Sequence, residues 1–352
     1  QGYSCGHFPQ SFEYSTVGGW ISARGAGQAS TGYGKIEDML VAVRAVTPAG
    51  VIETKDYPRT AQGWDLFRVF AGAEGTLGVI TEATLHIFNY APANTAAAAF
   101  IFRSFETAVE AMRRIIQSEC GKPHLFRISD PDETDIAFRT GGFSGTLADR
   151  ALQALGFKPG SRCLMFVTVE GESDYARFVI GKIKKKARAG RGMYIGTSPV
   201  SKWLEQRYSS AYMRDPMMDF GIMTDTLETA VTWENLLNVW KAAHDYVARR
   251  PKAFLMIHIS HVYENGANLY FTFLSPMEIG NEKQDFTAFH RGLVETILAN
   301  GGSLSHHHGV GRVLAPWMEG HLGRNSMELL RAVKNHLDPD NIMNPGGTLG
   351  LQ

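Results

Sequence analysis

The chain of 352 residues is 44% hydrophobic and 20% charged, enough to bury a large core and to divide into two domains. Its 35 Lys and Arg balance 35 Asp and Glu, so no global basic field argues for nucleic acid or an anionic membrane. Cys5, Cys120 and Cys163 lie far apart without a CxxC spacing, which argues against a zinc ribbon or a disulfide framework and fits free thiols in a reducing compartment.

In chain order, Gln1 opens without an initiator methionine or a signal peptide, and residues 2–7 read as a loop whose preceding partner is missing. Gly18-Gly19 lets the backbone approach a ligand or another backbone, with Ser15, Thr16 and Ser22 offering hydroxyls beside it. A second glycine-rich segment covers 25–34. Alternation over 41–46, the turn Pro48-Ala49-Gly50 and the return 51–54 predict a hairpin. An aromatic helix is expected over 64–70, and a strand over 83–88. Gly72, Gly75 and Gly78 match neither GxGxxG before a helix nor GxxxxGK[ST], so a nicotinamide Rossmann fold is unsupported. What remains is either a backbone platform for a flat ligand or a tight turn between strands.

From Asn94 strands and helices alternate. Strands are expected over 97–102, 124–129 and 162–169, helices over 105–118, 173–189, 233–249 and 285–299, and a hairpin over 254–263 and 268–274. This reads as an antiparallel α+β cap with helices to one side. The basic run 182–191 reads as a solvated helix face. A helix over 332–337 closes the pattern. No apolar run approaches the roughly 18 residues of a membrane-crossing helix.

Four places carry candidate chemistry. His306-His307-His308 offers groups that titrate near neutrality, and on an extended segment His306 and His308 would share one face while His307 takes the other, disfavouring one metal bound by all three. Arg127 lies in an otherwise apolar strand and needs a partner or a cavity. Arg214 on the plainer reading pairs locally with Asp215 or a nearby carboxylate, although a phosphate-bearing substrate would want such a fork, and Tyr270 sits in an alternating strand where a core tyrosine is the plainer reading.

Ser15-Thr16-Val17-Gly18-Gly19-Trp20, Ile36-Glu37-Asp38, Val46-Thr47-Pro48, Glu74 to Thr81 and Leu337 to Gly346 resemble the FAD-linked oxidases of the vanillyl-alcohol oxidase superfamily. Within it, residues 300–311 resemble the ether-forming alkyldihydroxyacetonephosphate synthase branch. The resemblance implies an α+β architecture: a partial FAD-binding domain over 1–93, a cap over 94–324 and a return to the first domain over 325–352. It implies contacts to FAD by Pro9, Gln10, Ser11, Ser15, Thr16, Ala23, Arg24, Gly25, Ala26, Glu74, Gly75, Thr76, Leu77, Gly78, Val79 and Ile80. The family's pyrophosphate loop is expected upstream of residue 1.

For the reaction, the resemblance implies exchange of the acyl group of acyl-dihydroxyacetone phosphate for a fatty alcohol, with the flavin as a covalent trap and no net redox change. It makes Tyr270 the proton donor and acceptor, its pKa lowered by positive charge such as His308. Arg127 becomes an essential arginine and Arg214 a substrate contact. His308 is expected to reach the flavin and Tyr270, and His307 to serve the substrate phosphate or orient a neighbour. Of the three histidines, His308 is expected to matter most and His306 least. The sibling 2-hydroxy acid dehydrogenases carry metal-binding histidines where Tyr263 and Tyr270 stand here, so no metal is expected and hydroxy-acid oxidation becomes the alternative, beside a flavin-free binding module. Lipid substrates, a peripheral membrane contact and a homodimer are the expected partners, without nucleic acid. The expected setting is cytoplasmic, or peroxisomal in a eukaryote.

Overall fold

The computed structural model describes residues 1–351. The chain forms two compact units, Gln1–Tyr90 with Leu304–Gln352, and Ala91–Ser303. Residues 304–324, expected in the cap, thus belong to the first unit. The reason is local: the Glu74 carboxylate accepts from the Val310 and Gly311 amides, and Lys35 Nζ donates to the His306 carbonyl.

In the first unit β1 (Tyr3–Ser4) pairs with β5 (Phe88–Asn89), and a three-stranded antiparallel sheet runs in the order β3 (Gly50–Glu53), β2 (Leu40–Thr47), β4 (Val79–Leu85). The expected hairpin is β2 and β3, closed by Thr47 Oγ1 donating to the Gly50 carbonyl at 2.8 Å. The strand expected at 83–88 starts earlier, at Val79, because Gly78 lets the chain lie against β2: a Cβ there would stand 2.5 Å from the Val46 carbonyl oxygen. The helix expected over 64–70 shrinks to one 3-10 turn, Leu66–Val69. Trp64 and Leu66 are exposed, so the segment lacks the buried stripe that would sustain a longer helix. Ile21, Ile36, Val43, Ala45, Phe70 and Leu77 form the core, joined by Leu337 from the C-terminal segment.

The second unit is built on an eight-stranded antiparallel sheet. Its order is β10 (Ile222–Thr232), β13 (Gly266–Pro276), β11 (Phe254–Ile259), β7 (Phe126–Ser129), β8 (Cys163–Val169), β6 (Ala96–Phe102), β9 (Met193–Gly196), with β12 (Val262–Tyr263) also on β13. The expected helix over 173–189 is observed as Ser173–Ala189, and that over 285–299 begins a turn earlier, as Glu282–Ala299. Helices do not lie to one side only. Successive side chains of β6 alternate faces, yet Ala98 through Phe102 are all buried, so both faces are covered. Pro131–Thr140 and Ser198–Gln206, two helices absent from the sequence reading, supply Phe138 and Val200 to a cluster with Ala99, Ile101, Leu164 and Phe166.

Candidate functional site

Within the first unit the segments expected to meet a flavin come together. The helix Val17–Ala23 is capped by Thr16, whose Oγ1 accepts from the Gly19 amide at 3.1 Å, and Trp20 Nε1 donates to Ser15 Oγ at 2.7 Å. Pro9 is buried, while Gln10, Ser11 and Thr16 face outward. Behind them, Gln28 N donates to the Phe8 carbonyl, and a Cβ on Gly27 would stand 2.3 Å from Phe8 N. That approach requires glycine. It sets residues 6–8 directly against the strip that contains Ala23, Arg24, Gly25 and Ala26. The third segment joins through Glu74, whose amide donates to the Ser22 carbonyl at 2.9 Å, and through Ile80, whose carbonyl lies 3.3 Å from where a Gly18 Cβ would be.

Parts of that third segment serve the fold itself. Thr76 is buried with Oγ1 on the Ala73 carbonyl, Leu77 sits in the core, Gly78 packs on β2, and Val79 and Ile80 begin β4, leaving Gly75 and the Glu74 backbone at the half-buried rim. Burial raises the Glu74 carboxyl above its ordinary value, against the two amides of the histidine loop that favour its charge. Glu74 is thereby a clamp on residues 309–311: a Cβ on Gly309 would fall 2.6 Å from Glu74 Oε1.

The histidine run does not follow the extended pattern. Residues 306–308 form consecutive bends, with Gly309 at φ +85° and its amide on Ser305 Oγ. The rings follow one another instead of alternating faces: His306 Nδ1 lies 3.0 Å from His307 Nδ1, and the His307 and His308 centroids are 4.6 Å apart. One of the two facing Nδ1 atoms must carry the proton of that bond. The expectation that His307 points away from its neighbours is therefore corrected. Lys35, not singled out in the sequence, supports the run from below. Its ammonium donates to the His306 carbonyl at 2.6 Å and pairs with Glu37 at 3.1 Å, and Glu37 also accepts from Arg24 Nε.

The cofactor fit can be judged from unsatisfied groups. His7 Nδ1 and Nε2, Gln28 Oε1 and Glu37 Oε2 are buried without a hydrogen-bond partner in this unit. Burial depresses the His7 imidazole to about 4, so it is neutral at pH 7 and presents one donor and one acceptor. Leaving such groups unpaired costs about 1–3 kcal/mol each, a cost that a flat ligand with many donors and acceptors would remove. The residues present fit a flavin.

A second tie brings the C-terminal segment to these strips. Lys334, 2% exposed, donates to the Thr76 and Met343 carbonyls at 2.8 and 2.9 Å and pairs with Asp338, which also accepts from the Ile342 and Met343 amides. Burial would raise the Asp338 carboxyl, yet Lys334 and those amides hold it below its usual range. Lys334→Met should lower the unfolding free energy of the whole protein by about 3–5 kcal/mol in urea denaturation, because it strands a buried carboxylate. A change under about 1 kcal/mol would show that the pair does not anchor the segment.

In the second unit, adjacent strands β7, β11 and β13 build a polar array. Arg127 on β7 donates to Glu133 Oε1 at 2.6 Å, Glu133 meets His258 Nδ1 at 3.2 Å, and the His258 ring stacks on Tyr270 with centroids 4.6 Å apart and 12° between planes. Strand register explains the order: His258 stands opposite Ser129 of β7 on one side and Tyr270 of β13 on the other, and Glu228 of β10 faces Tyr270 from beyond. Burial alone would raise Glu133, but Arg127 and His258 bring it down to about 2. Burial and the Arg127 charge both lower His258. Tyr270 departs from the sequence expectation: burial raises its pKa, outweighing the Thr226 hydrogen bond and the Arg127 charge that favour the phenolate. The phenol is thus held neutral.

Arg214 pairs with Asp225 at 3.7 Å rather than with its neighbour Asp215, and 56% of its side chain is exposed. Asp130, Asp132 and His244 come within metal-ligating reach of one another, though Asp130 already accepts from His244 Nε2 and Trp240 Nε1. Neither Glu133 nor His258 was legible in advance. The only local signal is Asp130-Pro131 ahead of Glu133, an N-cap followed by proline that marks a helix start.

A family model described as FAD linked oxidases, C-terminal domain, matches residues 91–348, and one described as FAD binding domain matches 1–55. The chain belongs to the FAD-linked oxidases. Among its relatives, an alkyldihydroxyacetonephosphate synthase of Dictyostelium discoideum is 35% identical over 98% of this chain and 58% of its own length. One of Trypanosoma brucei brucei is 32% identical over 99% and 58%. A solved alkyldihydroxyacetonephosphate synthase structure superposes with a TM-score of 0.79 at 31% identity, covering 98% of this chain and 60% of that one. The chain therefore spans 58 to 60% of the length of these synthases. The FAD-linked family and its mixed helix and sheet architecture agree with the resemblance carried by the sequence motifs.

Proposed function

We propose that the chain carries the flavin-dependent exchange of the acyl group of acyl-dihydroxyacetone phosphate for a fatty alcohol. The observation that supports this most is the Arg127–Glu133–His258–Tyr270 array, which puts a neutral, buried phenol in a strand position where the hydroxy-acid branch is expected to keep a metal-binding histidine. Likeness to synthases over nearly the whole chain supports the same substrate class.

The chemistry asks for a proton donor and acceptor at the reacting carbon and its leaving oxygen. Tyr270 can supply the donor because its phenol is un-ionised at pH 7, and the stacked, neutral His258 fixes its plane. Arg127 is committed to Glu133 and holds the array rigid. Arg214 retains exposed guanidinium donors in the fork that suits a phosphate dianion. The histidine loop, clamped by Glu74 and Lys35, contributes further groups of suitable acidity, with His308 the expected leader. When bound, FAD supplies the covalent anchor for the substrate carbon, so the exchange needs no oxidant. A long-chain substrate makes a peripheral membrane contact part of this reading, and no described helix is long and apolar enough to cross a membrane. A homodimer and a cytoplasmic setting, peroxisomal in a eukaryote, complete it.

Dye reduction is the discriminating assay. The whole protein should not reduce an electron-accepting dye with lactate or glycolate, and robust turnover with either would replace this proposal by hydroxy-acid oxidation.

A further inference from the structure

The β9 edge of the second unit's sheet holds a cavity of about 550 Å³ lined by Arg103, Phe157, Arg188, Arg191 and Tyr194. It lies three strands from β7 and five from β13, at the end of the sheet away from Tyr270. Its size is that of a small-molecule site.

Its cations differ from the ion-paired arginines of the same unit. Arg127, Arg162, Arg177 and Arg250 each have a carboxylate partner. Arg103 follows β6, whereas Lys184, Arg188 and Arg191 lie on or just after the helix Ser173–Ala189, and among the described residues none of the four has an ion pair within 4.0 Å. Arg103 is oriented by donating to the Leu155 carbonyl at 2.8 Å and lies over Phe157, 5.3 Å from its centroid. Lys184 and Arg188 lie one turn apart on the helix Ser173–Ala189, both over the Tyr194 ring, at 4.5 and 5.9 Å.

Arg191 adopts φ +69°, just beyond the end of that helix, where glycine would be free of strain. Attraction to the helix C-terminus accounts for a cation at 188, but not for Arg103 at the end of β6. Three guanidinium groups line the cavity and no carboxylate does, so the positive field there is suited to an anion from outside. Planar guanidinium forks against aromatic walls match phosphate oxygens bidentately, with the rings left for an apolar or aromatic part of the ligand.

We propose that this cavity binds a multiply charged phosphate group, carried by a soluble organic phosphate or by a lipid headgroup. Neither the FAD segments nor the Tyr270 array takes part in it.

Two arms test it on the whole protein: calorimetric titration with inorganic pyrophosphate, and co-sedimentation with phosphatidylcholine vesicles containing phosphatidic acid, whose phosphomonoester carries more than one charge. Arg188 and Arg191 are exposed, so R188E/R191E should fold, and its melting temperature checks that it does. Pyrophosphate binding that weakens at least about tenfold in R188E/R191E, while exposed Lys185→Glu on the same helix changes it little, supports the site. R103K, keeping the charge but losing the fork, should fall between. Saturable pyrophosphate binding without vesicle binding supports a soluble phosphate, and vesicle binding displaced by pyrophosphate supports a headgroup. Failure to bind either probe, or equal loss in Lys185→Glu, overturns the proposal.

Discussion

Arg127→Ala should abolish the exchange reaction by at least about a hundredfold and destabilise the protein by about 3–5 kcal/mol. Both effects share one cause. Arg127 is 14% exposed and Glu133 20% exposed at the side chain, and removing the guanidinium leaves a carboxylate in a buried array with His258 and the Ser129 hydroxyl to offset it. The acid limb of stability carries a further signature. Glu133 has a folded-state value of about 2, below the roughly 4.3 of an unfolded chain, so it contributes stability fully present above about pH 4.3 and lost as the pH falls through 2. That contribution is on the order of 3 kcal/mol. In Arg127→Ala the burial effect prevails, the carboxyl moves up, and lowering the pH from neutral toward about 4 should stabilise the variant, whereas the wild type holds its stability down to about pH 4.3 and weakens below it. Urea unfolding at several pH values reads this directly. Adding Glu133→Gln should restore much of the stability without the activity. An Arg127→Ala protein that melts like the wild type would show that the pair is idle.

Tyr270→Phe should separate chemistry from structure. The stacked ring on His258 is retained, and the loss is confined to a hydroxyl whose hydrogen bond to Thr226 is worth about 1 kcal/mol. Turnover should nevertheless fall by at least about a hundredfold, the usual effect of losing a positioned proton-transfer group, with KM little changed. Because burial raises the phenol, wild-type activity should not decline through pH 9 from loss of this proton. Steady-state kinetics on both proteins checks each point. A loss of only a few-fold would leave Tyr270 as a packing residue.

What the sequence revealed and what it concealed divide along physical lines. The hairpin over 41–54 and the helix Ser173–Ala189 were readable because their signals are local: a turn dipeptide, period-two alternation, and a 3.6-residue stripe. The β6 and β8 strands were readable as almost continuous apolar runs, broken in β8 by Thr168. Pro131–Thr140 was missed because its sequence is mostly polar and its single inward aromatic, Phe138, is not a periodic pattern. Likewise β10 mixes polar and apolar residues without period-two alternation, as in Thr224-Asp225-Thr226 and Ala230-Val231, so its pairing with β13 shows only in three dimensions.

The site follows the same division. Arg127, Tyr270 and the histidine run could be singled out because their chemistry is unusual for their surroundings. Glu133 and His258 could not, since the array depends on β7 lying beside β11, and through it near β13, although β7 is more than a hundred positions from both in sequence. The histidine bends depend in turn on Glu74, far upstream, holding Val310 and Gly311. Lys35 and Lys334 look like ordinary surface lysines in sequence and are buried in the structure.

The central claim is the exchange itself, and its stoichiometry is the most direct test. Incubating the whole protein, loaded with FAD, with acyl-dihydroxyacetone phosphate and a labelled long-chain alcohol should release one fatty acid for each alcohol incorporated into an ether product, without oxygen consumption. Fatty acid release without incorporation of the label, or incorporation that consumes oxygen in proportion, would contradict it.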